Sequence, residues 1–229
     1  MSSFTVSTLA RRYAKSAVIA QPADVRGWGL FAEAAFAAGE PLFWVDIHNR
    51  AHSHVLHQHE AFGECDPRSV TLLPQVAFCF TAEQPLYYVN HACDANSGFI
   101  NWGSLEDGKL CFAAFRDIAR GEQITADYSA LTPKGDGSPH GDAWQMSCLC
   151  GQAVCRHLIE GFDRLAIGDQ KRFALTESPP YGRVIAHILA ESPRAVEDLC
   201  LAAPHHFRHY QAALAEQQAL AAYFKARLG

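Results

Sequence analysis

The chain has 229 residues, of which 49% are hydrophobic and 19% are charged, and its formal net charge is −5. This length allows one substantial domain with an appendage, and the composition is that of a globular protein. No apolar run reaches the ~18 residues of a membrane-spanning helix, and the negative charge without a long basic run argues against direct contact with nucleic acid. We therefore expect neither nucleic acid nor a membrane as a partner.

The N-terminal segment has a one-sided charge pattern. Its first 23 residues contain no Asp or Glu, but they include Arg11, Arg12 and Lys15. Such a start, with several serines, resembles an organelle transit peptide. We favour the alternative, a short amphipathic helix packed on the domain, and we assign residues 1–15 to an N-terminal arm.

From residue 16 the pattern predicts a β-rich body. Short apolar stretches alternate with Gly, Pro, Asp and Asn, which is typical of short strands joined by turns. Two segments are alike, Phe36–Leu42 and Ile118–Ile124, and each is expected to be a turn with glycine at positive φ followed by a strand. The predicted strands are Ser16–Ile19, Gly29–Ala32, Pro41–Ile47, Leu110–Phe115 and Gln123–Ala126.

The rest of the chain changes character twice. Residues 132–142 are rich in Gly and Pro, which predicts a flexible loop. After Gly161, apolar residues recur on one face at a period near 3.6, most clearly from Phe207 to Leu228, which predicts helices. The expected fold class is therefore mainly β with a helical C-terminal region over residues 161–229.

A cluster of cysteines indicates a metal site. Three thiols lie within eight residues in Cys148-Leu-Cys150-Gly-Gln-Ala-Val-Cys155. Thiols at this spacing do not easily form a disulfide, but they can bind one ion, and Gly151 lets the backbone fold back. Structural zinc takes four ligands, so another is needed, and Cys93 is the candidate. The alternative is a set of reduced, uncoordinated thiols.

The other cysteines lie in apolar or isolated surroundings and are expected to be small buried residues. Metal binding rather than disulfide formation is typical of a reducing compartment, so we expect the protein in the cytoplasm. These four cysteines are Cys65, Cys79, Cys111 and Cys200.

Three further motifs are informative because they occur together and in this order. They are Arg26-Gly-Trp-Gly-Leu-Phe-Ala32, Asn90-His-Ala-Cys-Asp-Ala-Asn96 and Arg116-Asp-Ile-Ala-Arg-Gly-Glu-Gln-Ile-Thr-Ala-Asp-Tyr128. With the cysteine motif, they resemble the SET-domain protein methyltransferases, most of all compact bacterial members with a cysteine-bearing post-SET segment. Ala92 and Ala95 stand where the family has Ser and Pro. The resemblance extends from about residue 16 to residue 161.

The resemblance implies an S-adenosylmethionine-dependent methyltransferase with a β-clip fold and a pseudoknot near Asp127 and Tyr128. Residues 16–131 would form the SET core, with a substrate-side insert at about 46–86, and residues 132–160 would form a loop and the post-SET zinc segment. It also supports Cys93 as the fourth zinc ligand. Tyr128 would be the catalytic residue. The cofactor would contact Gly27, Trp28, Gly29, Asn90, His91, Tyr128 and Leu149.

Two positions depart from the family where aromatic side chains often line the substrate channel. Ala126 stands two residues before Tyr128, and Val45 stands where a channel tyrosine is common. With Tyr88, they form the expected substrate pocket, which is wide unless a neighbouring aromatic ring fills it. The expected substrate is a lysine of a protein or peptide. The alternatives are a small-molecule amine or another side chain, or a non-catalytic zinc-containing interaction module.

The insert also contains a run of histidines. A second metal site is one interpretation. However, the histidines from His52 onward do not share one helical face, and no carboxylates are interleaved, so we favour a solvated, partly helical surface. The histidines are His48, His52, His54, His57 and His59.

Overall fold

The computed structural model describes residues 11–13, 16–46, 49, 53–57, 69–73, 76–101, 109–131, 145–167, 222 and 226. Over these residues the chain is mainly β, as predicted, with three short 3-10 helices at Pro85–Tyr88, Tyr128–Leu131 and Phe162–Arg164. The strands are β1 Arg11–Arg12, β2 Val18–Asp24, β3 Gly27–Ala32, β4 Pro41–Asp46, β5 Ser53–His57, β6 Ser69–Leu73, β7 Val76–Phe80, β8 Asn90–His91, β9 Ser97–Asn101, β10 Lys109–Ala114, β11 Gln123–Ala126, β12 Gln145–Ser147 and β13 Leu158–Glu160.

A five-stranded sheet in the order β1-β2-β3-β11-β8 carries most of the sequence motifs. Strands β2 and β3 form an antiparallel hairpin, and β11 pairs antiparallel with β3. The short strand β8 joins β11 in parallel, with Asn90 opposite Thr125 and His91 opposite Ala126. This pairing brings two distant segments of the chain side by side, as the expected pseudoknot requires.

The two similar segments form similar turns, as the sequence predicts. Gly39 has a φ of 84° and Gly121 a φ of 83°, a region that costs glycine little because it has no Cβ. In each turn the glutamate after the glycine accepts a hydrogen bond from the backbone N–H three residues earlier, at 3.0 Å. The segments also pair with each other through a bridge between Phe36 and Ile118.

Three smaller sheets complete the described fold: β4-β10-β9, β5-β7-β6 and β12-β13. Phe112 of β10 stacks on Phe43 with ring centroids 4.8 Å apart and meets Phe99 edge-on at 5.1 Å. These contacts bury the aromatic face of the β4-β10-β9 sheet, because strands of this kind alternate side chains between two faces.

Two local predictions are wrong. The N-terminal helix does not form over Arg11–Arg12, which instead pairs as an antiparallel strand with β2, a strand that overlaps the predicted strand Ser16–Ile19. In β2, Val18 and Ala20 are buried and their neighbours are not, a period of two that suits a half-buried strand. The insert is not helical at Ser53–His57, which pairs with β7. Pairing with a partner strand decides both cases.

The cysteines outside the metal motif follow the prediction in part. Cys79 and Cys111 are buried, at 6% and 2% exposure. Cys111 is a free thiol, whereas Cys79 is disulfide-bonded, contrary to expectation. Cys65 and Cys200 lie outside the described residues.

Several predictions fall on parts of the chain that are not described. These are residues 1–10 of the arm, the loop at 132–142, the histidine side chains of the insert and nearly all of the helical region after residue 167, of which Ala222 and Ala226 are helical. Within the described ranges, no helix is long and apolar enough to cross a membrane.

Candidate active site and metal centre

Tyr128 begins the 3-10 helix that follows β11, and it is held at both its backbone and its side chain. Its hydroxyl donates a hydrogen bond to the carbonyl of Val89 at 2.8 Å. Its backbone N–H donates to Nδ1 of His91 at 3.1 Å, and the two rings lie 5.3 Å apart. The phenol is therefore fixed beside the Asn90–His91 strand.

The predicted cofactor residues of the first two motifs also meet. Nδ2 of Asn90 donates to the carbonyl of Trp28 at 3.0 Å, and the Trp28 ring lies 5.8 Å from that of Tyr88. A Cβ on Gly29 would lie 3.2 Å from Nδ2 of Asn90 and 2.3 Å from Nε2 of Gln123. A side chain at position 29 would therefore force the amide groups of Gln123 and Asn90 to move.

Arg26 and Gln123 line the same region, although they were not predicted as site residues. Arg26 donates to the carboxylate of Asp24 at 2.6 Å, to Oε1 of Gln123 at 2.8 Å and to the carbonyl of His91 at 3.3 Å. The hydrogen bonds from Arg26 lower the pKa of Asp24 to about 2. Arg26 belongs to the motif Arg26–Ala32 and Gln123 to the motif Arg116–Tyr128, so the sequence contained a signal for both residues.

The orientation of the Gln123 amide follows from this contact. Because Oε1 accepts from Arg26, Nε2 must point the other way, into the space beside Gly29. There Nε2 is buried and has no hydrogen-bond partner among the residues that the structure describes. A buried donor without an acceptor is costly, and an oxygen of a bound ligand would satisfy it.

His91 joins Tyr128 to the cysteines. Burial lowers its pKa to about 4, so the ring is neutral at neutral pH. Since Nδ1 accepts the backbone N–H of Tyr128, we assign the ring proton to Nε2. Nε2 lies 3.3 Å from the sulfur of Cys93, to which it donates.

The four cysteines of the predicted metal site come together. Their sulfur atoms all lie within 4.8 Å of one another, and those of Cys93 and Cys148 are 3.6 Å apart. Thiolates at ~2.3 Å from a tetrahedral zinc ion lie about 3.8 Å apart, so this donor set fits zinc. Three of the thiols belong to residues 145–160, here called the cysteine hairpin, in which β12 pairs with β13. The set is Cys93, Cys148, Cys150 and Cys155.

Backbone groups surround these sulfur atoms with donors. The N–H of Arg156 donates to Cys93 and the N–H of His157 donates to Cys155, each at 3.3 Å. Burial raises the pKa of Cys93 and of Cys148. For Cys150, burial acts to raise the pKa, but hydrogen bonds from the backbone and from the thiols of Cys148 and Cys155 together outweigh it and lower the pKa to about 7. A bound cation would favour the thiolate form of all four.

The remaining predicted residues lie in different environments. Leu149 projects from the cysteine hairpin and is 61% exposed. Tyr88 is half-buried and packs edge-on against Tyr87. Val45 and Ala126 are fully enclosed, at 0% and 1% exposure. The structure thus places Tyr88 near Trp28, whereas Val45 lies in β4, in a different sheet from Ala126.

The comparisons with known proteins agree with the motifs. Residues 27–129 match the family model of the SET domain, so the resemblance of this part of the chain to SET domains is confirmed. No curated protein matches the chain.

Two solved structures are similar. SUVH6 of Arabidopsis thaliana, in complex with SAM, is 18% identical with a TM-score of 0.48, over 63% of this chain and 33% of that one. KRYPTONITE, in complex with mCHH DNA, an H3(1-15) peptide and SAH, is 18% identical with a TM-score of 0.45, over 65% of this chain and 30% of that one. This chain spans about a third of the length of each.

Proposed function

We propose that this protein is an S-adenosylmethionine-dependent N-methyltransferase of the SET class that methylates a lysine of a protein or peptide. The observation that carries the proposal is the position of Tyr128 within the matched SET domain. Its hydroxyl donates a hydrogen bond to the carbonyl of Val89, and its backbone N–H donates one to Nδ1 of His91, a residue of the predicted cofactor motif. The acidic balance of the chain suits a basic substrate segment.

The residues beside Tyr128 fit the cofactor. Gly27 and Gly29 leave the β3 backbone without a Cβ on either side of Trp28, and Asn90 fixes the Trp28 carbonyl. The buried Nε2 of Gln123 is a hydrogen-bond donor without an acceptor among the described residues. A hydroxyl or carboxylate oxygen of S-adenosylmethionine could accept this hydrogen bond. Leu149, an exposed residue of the cysteine hairpin, would cover the adenine of the cofactor.

When bound, S-adenosylmethionine would supply a methyl group on a positively charged sulfonium, so that attack of a neutral amine on the methyl carbon forms an N–C bond, breaks the C–S bond in line and releases the sulfur as the neutral thioether of S-adenosylhomocysteine. A free lysine has a pKa of ~10.4, and both a nearby positive charge and apolar surroundings lower it. Tyr128 need not act as a base. The hydroxyl of Tyr128 donates its hydrogen to the carbonyl of Val89. Its oxygen can therefore accept a hydrogen bond from the substrate amine and align that amine with the methyl group. Positioning and preorganised dipoles then supply most of the rate enhancement.

Structural zinc is the second part of the proposal. Cys93, Cys148, Cys150 and Cys155 would hold one ion, which would tie the cysteine hairpin to the SET core without taking part in the reaction. In this organisation residues 16–131 are the SET core, residues 132–160 are the loop and zinc segment, and residues 161–229 form a helical region.

The test uses S-adenosylmethionine with a labelled methyl group, incubated with the purified protein and a cell extract. We expect label in protein, at lysine, as located by mass spectrometry. Tyr128→Phe should nearly abolish transfer while cofactor affinity stays within a few-fold, because alignment acts on turnover more than on ground-state binding. Asn90→Ala should instead weaken cofactor binding, measured by calorimetry. A Tyr128→Phe variant with most of the wild-type rate would remove Tyr128 from the mechanism.

A further inference from the structure

A buried ion pair links the residue before Tyr128 to the residue after a proposed zinc ligand. The carboxylate of Asp127 is fully buried, and the guanidinium of Arg156 is 16% exposed. The two groups make parallel hydrogen bonds, from Nη1 to Oδ2 and from Nη2 to Oδ1, both at 2.7 Å. Such a bidentate pair fixes direction as well as distance. It therefore connects the cysteine hairpin to the end of β11.

The same guanidinium reaches across Tyr128. Its Nη2 donates to Oγ of Ser129 at 3.1 Å, while the backbone N–H of Ser129 donates to Oδ1 of Asp127 at 3.0 Å. Arg156 thus holds the residues on both sides of Tyr128. This constrains the backbone from which the phenol projects.

Both ends of this network lead to Cys93. The backbone N–H of Arg156 donates to its sulfur at 3.3 Å, and Nε2 of His91 lies 3.3 Å from the same atom. Nδ1 of His91 in turn accepts the backbone N–H of Tyr128. Two chains of contacts, one through Arg156 and one through His91, therefore run from one sulfur atom to the backbone around Tyr128.

We infer that Arg156 is a positioning residue that holds Tyr128 in its working orientation only while the cysteine cluster is assembled. The expected effect on catalysis rests on the proposed function, whereas the expected effect on the backbone around Tyr128 does not. An arginine is required because its planar fork can serve Asp127 and Ser129 together, whereas the single ammonium of a lysine cannot reproduce that geometry. Loss of the fork should free the backbone around Tyr128 without removing any atom from the substrate or cofactor pocket.

The first measurement is hydrogen exchange at the amides of Tyr128 and Ser129, which does not depend on activity. The proteins are wild type, Arg156→Gln, and Arg164→Gln as a control, since Arg164 is exposed in the next 3-10 helix. With zinc content equal, we expect exchange in Arg156→Gln to rise roughly tenfold or more at these amides. Removal of zinc from wild type should have the same effect. Equal protection in zinc-loaded Arg156→Gln and wild type would overturn the inference.

The second measurement separates positioning from general stability. In Arg156→Gln, kcat should fall at least about tenfold, because a small misplacement of the reacting groups lowers the rate strongly. The KM for S-adenosylmethionine should stay within a few-fold of the wild-type value. Adding Arg156→Gln to Tyr128→Phe should cost little more than Tyr128→Phe alone, and effects that multiply would contradict action through Tyr128. If Arg156→Gln does not fold, Arg156→Lys replaces it in both measurements. A wild-type protein that transfers no methyl group would refute the proposed function, and the exchange result would still decide the coupling.

Discussion

Replacing Cys93 with alanine separates the cysteine hairpin from the SET core, because the other three proposed ligands lie within the hairpin. Structural zinc contributes ~10–16 kcal/mol of apparent binding free energy in small peptides. An equal share for each of four thiolates is about 2.5–4 kcal/mol, which corresponds to zinc binding weakened roughly 10²- to 10³-fold. The lost sulfur also leaves the backbone N–H of Arg156 without the acceptor it has at 3.3 Å.

The assay has two parts. Elemental analysis of protein purified without chelator should give one zinc per wild-type chain, and competition with a coloured chelator should give the affinity of each variant. Hydrogen exchange over residues 145–160 should show the hairpin loosened in Cys93→Ala. The matched control is Cys111→Ala, since Cys111 is a free thiol of β10, is also buried and lies outside the cluster. Wild-type protein without zinc, or equal loss of zinc affinity in the two variants, would refute the assignment.

Two further substitutions test packing in the cofactor and substrate regions. Ala126→Phe should lower the free energy of unfolding by ~1–3 kcal/mol, because the side chain at this position is enclosed and a ring would overpack it. Chemical denaturation measures this, and a variant as stable as wild type would instead reveal an open pocket at Ala126. Gly29→Ala should weaken cofactor binding and stability together, since its Cβ would meet Nε2 of Gln123 at 2.3 Å. Gly39→Ala is its control, because Gly39 lies outside the cofactor motifs and its φ of 84° strains the backbone by about 1–2 kcal/mol while the Cβ meets nothing within 4 Å. Calorimetry with S-adenosylmethionine should show the larger loss of affinity for Gly29→Ala, and equal losses would contradict the role of the close approach.

The sequence by itself determined the elements that depend on local pattern. Pro41–Asp46, Lys109–Ala114 and Gln123–Ala126 form strands within a residue of the predicted bounds, because each contains a short apolar run between turn signals. The turns at Gly39 and Gly121 were also predictable, since positive φ selects glycine. The spacing of Cys148, Cys150 and Cys155 and the order of the motifs indicated a thiol site and a SET domain in the same way.

Tertiary structure decided what depends on residues far apart in the chain. Strand Asn90–His91 is only two residues long, too short for a periodic signal, and it exists through its parallel pairing with β11. The strand character of Ser53–His57 likewise follows from its pairing with β7. Propensity is a weak local preference that pairing and burial override.

The same reason explains the part of the site that the sequence did not reveal. The ion pair between Asp127 and Arg156 spans 29 positions, and no spacing pattern in the sequence predicts that these two residues are partners. The contact of Arg26 with Gln123 spans 97 positions. Spacing within a motif restricts which side chains can bind one ion or form one turn. Buried pairs between motifs arise only when sheets and hairpins pack against each other. Packing removes water, and each buried charge then requires a partner.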